Sequence, residues 1–171
     1  MRVFVAGATG VIGRPLVDRL LASGHDVTGM TRSEEGAERI RATGAEAVTC
    51  DVFDRDALRA AVDAAKPETV VHQLTSLSKR YDPRNPVSGE TNRIRTEGTR
   101  NLIEAGRAAG ARRLIAQSIA LMYAPEGGPV KDEDAPLMQP RLASPADSVR
   151  AVTEHEAQLR DAEGIEGTVL R

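Results

Sequence analysis

Cysteine occurs once in this chain, at Cys50, so no intramolecular disulfide can form. Tryptophan is absent and the aromatics number only two Phe and two Tyr, so the core has to be built from Val, Ile, Leu and Ala. That palette suits a parallel sheet buried between helices. No uninterrupted apolar run approaches the roughly eighteen residues of a membrane span, which argues against a membrane partner. Neither charge sign dominates: 23 Lys and Arg face 25 Asp and Glu, for a net charge of -2. With no basic block longer than a pair, the electrostatic footprint of a nucleic-acid binder is missing. The chain opens directly into Arg2-Val3-Phe4-Val5 without a charged leader and apolar run, and together with the lone cysteine this reads as a cytoplasmic protein.

At 171 residues, one domain is the expectation. Short β-branched runs near 2–6, 26–31, 46–50, 69–73, 112–117 and 167–170 alternate with segments of helical period near 11–23, 34–43, 55–65, 90–109 and 146–162. Such alternation predicts an α/β fold with a doubly wound parallel sheet in three layers, one domain spanning 1–171. Gly24, Gly44, Pro67 and Gly110 punctuate the helix ends, and Asp54 is placed to cap the third helix. Two polar loops, 76–89 with Pro83 and Pro86 and 124–145 with five prolines, follow the fourth and fifth strands and are the natural lids of a site. Thr168-Val169-Leu170-Arg171 reads as a strand entering the sheet, so the chain is expected to be a piece of a longer protein.

The most informative stretch joins the first strand to the first helix. Gly7, Gly10 and Gly13 recur at three-residue intervals, with Thr9, Val11 and Ile12 between them, ahead of the helical stripe Leu16, Val17, Leu20 and Leu21. Gly7 permits the tight turn, Gly10 lets backbone approach a diphosphate, and Gly13 lets the helix close on the sheet. The helix N-terminus supplies free N–H groups and partial positive charge. Where the second strand ends, about 20 residues beyond a dinucleotide turn, a carboxylate is expected to bind the adenosine ribose. Thr31, Arg32 and Ser33 stand there instead. An arginine fork and a hydroxyl suit a 2′-phosphate, which favours NADP, while Glu34 and Glu35 keep NAD open.

With Ala6-Gly7-Ala8-Thr9-Gly10-Val11-Ile12-Gly13, Asp51-Val52, Val70-Val71-His72-Gln73-Leu74-Thr75, Glu97-Gly98-Thr99-Arg100-Asn101-Leu102 and Leu114-Ile115-Ala116-Gln117-Ser118-Ile119-Ala120, the sequence resembles the short-chain dehydrogenase/reductase superfamily in its extended, epimerase/dehydratase-like branch. The resemblance implies a Rossmann fold with a six- or seven-stranded sheet, a bound nicotinamide dinucleotide and a smaller C-terminal substrate lobe that this chain lacks. It implies that Asp51 accepts from the adenine amino group beside the Val52 backbone. It also sets Gln73, Leu74 and Thr75 against the ribose and diphosphate. An asparagine that relatives carry three residues before Gly98 falls on Arg95, while Asn92, one turn earlier on roughly the same face, is a second candidate at the cofactor.

Hydride-transferring relatives use a Tyr as acid/base group and a Lys four residues later. Here the tyrosines are Tyr81 and Tyr123, the lysines Lys66, Lys79 and Lys131, and no pair has the YxxxK spacing. Those positions align with Ala146 and Arg150; Arg150 retains the means to bond the ribose hydroxyls, whereas alanine cannot move a proton. Ser118 and Tyr123 are the candidates to polarise a substrate oxygen. His72 reads as a packed strand-end residue, His25 as exposed, Cys50 as a buried hydrophobe, and His155 between two glutamates as no metal ligand. The functions implied are an oxidoreductase or epimerase/dehydratase-like enzyme acting on a small, sugar-nucleotide-like molecule with an atypical active site, or a non-catalytic NADP sensor. Oligomeric state is open; relatives often form homodimers through the fourth and fifth helices.

Overall fold

The computed structural model describes residues 1–76, 89–139 and 146–171. Six strands, β1 (Arg2–Ala6), β2 (Asp26–Thr31), β3 (Glu46–Thr49), β4 (Thr69–His72), β5 (Arg113–Gln117) and β6 (Glu166–Leu170), form one sheet in the order β3-β2-β1-β4-β5-β6. Every pairing is parallel. Alternation along β1 shows why both faces are covered: Val3 and Val5 point into one apolar layer, Phe4 and Ala6 into the other. Helices α1 (Gly13–Ala22) and α2 (Glu34–Arg41) cover the first layer through Val17 and Ile40. On the second, α3 (Arg55–Ala65), α5 (Thr99–Ala108) and α6 (Ala146–Arg160) contribute Leu58, Val62, Leu102 and Leu159.

The chain winds outward from β1 to β3, crosses the sheet through α3, then winds the other way through β4, β5 and β6. That reversal between β1 and β4 opens a crevice at the carboxyl ends of the strands, where ligands bind in open α/β sheets. Local chemistry agrees with the element ends: Ser33 caps α2 by accepting from Gly36 N at 3.1 Å, and Asp54 caps α3 by accepting from Ala57 N at 3.1 Å.

Three expectations need correction. The helix expected over 90–109 is α4 (Gly89–Arg93), a π-helical turn (Ile94–Gly98) and α5, with the Thr99 hydroxyl 3.4 Å from the Ile94 carbonyl five residues back. Apolar periodicity does not distinguish a wide turn inside a helix. His25 is half-buried rather than exposed. The third, fourth and fifth strands are shorter by a residue at one end and the sixth is longer by one, as boundary assignments commonly differ.

After β5 the chain makes a 3₁₀ turn (Ala120–Met122) and doubles back, with Tyr123 bridging Leu137 and Met138 N donating to Met122 O at 2.7 Å. Met122, Val149 and Val152 seat this loop on α6. The rest of that loop at 140–145, and 77–88 of the other with Lys79, Tyr81, Pro83 and Pro86, lie outside the described residues. No helix among the described residues is long and apolar enough to cross a membrane.

Candidate active site

The glycine turn is built by contact as much as by sequence. Gly7 adopts φ +93, and a Cβ there would sit 2.7 Å from the Gln73 carbonyl oxygen. At Gly13 a Cβ would lie 2.1 Å from the Gly7 oxygen, a distance that no side chain tolerates. Gly10 N closes the turn on Gly7 O at 3.0 Å. Helix α1 then begins with no side-chain cap and no acidic residue in its first turn, while Val11 is 94% exposed beside it. An uncapped N-terminus under an open, glycine-lined turn offers free amides and partial positive charge, the features that anion binding needs. The residues present therefore fit a dinucleotide diphosphate.

At the end of β2, Thr31 is buried and Ser33 is committed to capping α2. Arg32 is paired: its Nη1 lies 2.7 Å from Glu90 Oε1, and Ser76 Oγ donates to Glu90 Oε2 at 2.7 Å. Both bonds lower the Glu90 pKa, so the carboxylate stays ionised. This bridge ties the ends of β2 and β4 to α4. Asp51 accepts from Phe53 N at 2.9 Å, and the buried Val52 offers its carbonyl to Asn101 Nδ2 at 2.9 Å.

Beyond β4, Gln73 N donates to Ala6 O at 2.8 Å, which pins this segment against β1. Leu74 is half-buried, Thr75 is exposed, and Gln73 Oε1 and Asn92 Oδ1 are buried without partners. Beneath them runs a buried array. Leu74 N donates to His72 Nδ1 at 3.2 Å, so the His72 proton sits on Nε2 and donates to Thr99 Oγ1 at 3.2 Å. Thr99 in turn donates to His155 Nδ1 at 2.7 Å. Burial, reinforced by the charges of His155 and Arg95, pushes the His72 pKa down to about 3. Both histidines are held neutral, because burial lowers the His155 pKa as well.

At the end of β5, Ser118 is buried and its Oγ donates to Glu156 Oε1. Glu156, on α6, is gripped by Arg171, whose Nη2 lies 2.8 Å from Oε2 and whose Nε lies 3.1 Å from Oε1. Burial alone would raise the Glu156 pKa, but the bonds from Arg171 and Ser118 outweigh it and hold it below the ordinary value. The Arg171 guanidinium also stands over the Tyr123 ring, 5.5 Å from its centroid. The fold thus links the two residues singled out for acid/base work, Ser118 and Tyr123, through Glu156 and Arg171. Arg150 is not brought to this group: it pairs with Asp147 one turn away and is 59% exposed. Cys50 is buried and, chiefly for that reason, its thiol is pushed up to about 11.

Glu156, Arg171 and Glu90 escaped the sequence reading. For Glu156 a signal existed: it shares the helical stripe of Val149, Val152 and Leu159, and a carboxylate on an apolar stripe requires a buried partner. A cleft of about 680 Å³ lined by Arg2, His25, Asp26 and Lys66 lies at the amino ends of β1, β2 and β3, away from the strand carboxyl ends.

Comparison with known proteins agrees with this geometry. Over its full length the chain is 51% identical to a 3-diazoavenalumate denitrifying reductase of a Streptomyces species, of which it spans 55%. Over 67% of its length it is 37% identical to the UDP-glucose 4-epimerase of Mycolicibacterium smegmatis, spanning 37% of that protein. The crystal structure of the Thermus thermophilus UDP-glucose 4-epimerase with NAD superposes on all of it with a TM-score of 0.78 at 26% identity, and the chain covers 54% of that structure. Residues 3–171 match the model of one family, and the chain belongs to it: the NAD-dependent epimerase/dehydratase family.

Proposed function

We propose that this chain is the dinucleotide-binding part of an NAD(P)-dependent oxidoreductase with an atypical active site, and that the substrate lobe belongs to the remainder of a longer protein. The observation that carries the reading is the glycine turn, where Gly7 and Gly13 leave no room for a side chain and α1 opens uncapped. The 51% identical relative is a reductase, which favours reduction over epimerisation. A sugar-nucleotide-like substrate follows only from the epimerase relatives.

When bound, the nicotinamide supplies a hydride donor or acceptor. The chain's own part is to bind, orient and handle a proton. The α1 amides would hold the diphosphate, and Arg32 would offer its fork to a 2′-phosphate on the adenosine ribose in competition with Glu90. Ser118 has its proton directed at Glu156, which leaves its lone pairs to accept from a substrate hydroxyl; polarising a substrate carbonyl would require that proton to turn away from Glu156. Glu156 is a positioning residue for Ser118, and Arg171 keeps it charged and in place. Tyr123 is the second hydroxyl on the same network and serves as the acid/base group in place of the tyrosine that Ala146 lacks.

The test uses the full-length protein: titrate NAD and NADP by calorimetry, then follow NADPH oxidation across a carbonyl panel in wild type, Ser118→Ala and Tyr123→Phe. Expected are micromolar dinucleotide binding and a loss of turnover of about 10²- to 10⁴-fold in the variants. Turnover unaffected by both substitutions would overturn the acid/base assignment. Tight binding with no turnover on any substrate would instead support a cofactor sensor, the reading favoured by Ala146 at the position relatives fill with tyrosine.

A further inference from the structure

Arg95 is a cation without a counter-charge among the described residues. It sits in the π-helical turn, half-buried, with Nη1 wholly enclosed and unpartnered. Its side chain enters none of the ion pairs among the described residues, although its neighbours do: Arg93 grips Glu97 through two bonds and stacks over Phe53 at 3.8 Å. Burial lowers its pKa, and no acidic group among the described residues opposes that effect.

Three features place Arg95 at the crevice rather than in an indifferent part of the core. Its charge acts on both His72, at the end of β4, and His155, on α6. Asn92, three residues earlier on the same helical face, has its own Oδ1 buried and unpartnered. Gln73, the residue after His72, has Oε1 in the same condition. Buried polar groups are ordinarily satisfied, and a desolvated charge left alone is among the costliest defects a fold can carry. A half-buried guanidinium and two amide oxygens are thus short of partners on segments that reach the carboxyl ends of the strands, Gln73 directly after β4 and the other two on the helix that Glu90 ties to Arg32 and Ser76, and they are complementary to something that arrives there.

We propose that Arg95 forms a site for an anionic oxygen, carboxylate or phosphate, of a ligand lying in the crevice, and that the side-chain oxygens of Asn92 and Gln73 accept from donor groups of the same ligand. An arginine has five donors and no acceptor, so the group that satisfies it must accept, and its fork matches a planar or tetrahedral oxyanion. The two amides then take hydroxyl or N–H groups next to that oxyanion. Arg95 would also supply the cation that the crevice lacks at Arg150, which is spent on Asp147. The inference rests on the dinucleotide reading above for the crevice, not for the charge. Two sources share the chemistry: the diphosphate of the dinucleotide, and an acidic group on the second ligand.

The experiment compares wild type, Arg95→Met and Arg95→Lys of the full-length protein by calorimetry, with thermal melts to confirm folding. The probes are NAD, inorganic pyrophosphate, and benzoate added to the NAD-saturated protein. Loss of one charge-assisted fork predicts a fall of about 10- to 100-fold in affinity for at least one probe in Arg95→Met, with a smaller fall in Arg95→Lys. A fall for NAD and pyrophosphate identifies the dinucleotide as the source, and a fall confined to benzoate identifies the second ligand. Equal affinities for all three probes in wild type and variants overturn the inference and leave Arg95 satisfied by buried water. If Arg95→Met does not fold, Arg95→Lys alone decides, and a wild type that binds neither pyrophosphate nor benzoate better than chloride also overturns it. Failure of NAD to bind wild type sinks the dinucleotide reading separately, while the two small anions still test Arg95.

Discussion

Acidification should weaken this fold through His72 in a way that can be isolated. Burial holds the His72 pKa at about 3, whereas in the unfolded chain it returns to about 6.5. Above pH 6.5 both states are neutral and the group costs nothing. Between the two values the unfolded chain takes up a proton that the native state refuses, so stability falls with pH by about 1.4 kcal/mol per unit. From pH 7.5 to pH 5 this amounts to about 2 kcal/mol from His72 alone, a large share of a typical domain's stability. His155, whose pKa is lowered by the same burial, adds a loss of the same sign. In His72→Gln the terminal amide can still donate to Thr99, but nothing titrates. Urea unfolding followed by circular dichroism at both pH values should show the variant less stable at pH 7.5, by about 1 kcal/mol for the lost bond to Leu74 N, yet losing about 2 kcal/mol less on acidification. If wild type and variant lost stability equally between the two pH values, His72 would not be held neutral by burial, and the buried array would be misread.

Two further outcomes follow from the cofactor side. Gly13→Ala puts a Cβ 2.1 Å from the Gly7 oxygen, so the turn must open and dinucleotide affinity should fall at least tenfold by calorimetry; an unchanged Kd would mean that the turn does not cradle the diphosphate. Glu90→Gln frees Arg32 from an exposed ion pair worth about 0.2–1 kcal/mol, so NADP affinity should rise up to about fivefold while NAD affinity stays level. An equal rise for both would show that Arg32 does not read the 2′-phosphate.

Much of the fold was legible in the chain because its signals are local. The βα alternation, the Asp54 cap and the Gly7, Gly10, Gly13 turn depend on propensity, capping and sterics within a few residues, and all six strands lie where periodicity places them. The π-helical turn was not legible, since an extra residue in a helical turn leaves the apolar pattern nearly intact. Arg32 was readable as a cation at the end of a strand, but its partner Glu90 lies 58 residues away and only the fold reveals it.

The amino-acid sequence alone determined the layered sheet, the place of the crevice and the absence of a YxxxK pair, because each follows from neighbours along the chain. Only the tertiary structure decided which polar groups meet: Ser118 and Glu156 are 38 residues apart, Thr99 and His155 are 56 apart, and Arg95 Nη1 is buried without a partner among the described residues. Pairing across such separations is set by how β4, β5 and the helices over them pack, and desolvation makes each meeting, or failure to meet, matter energetically.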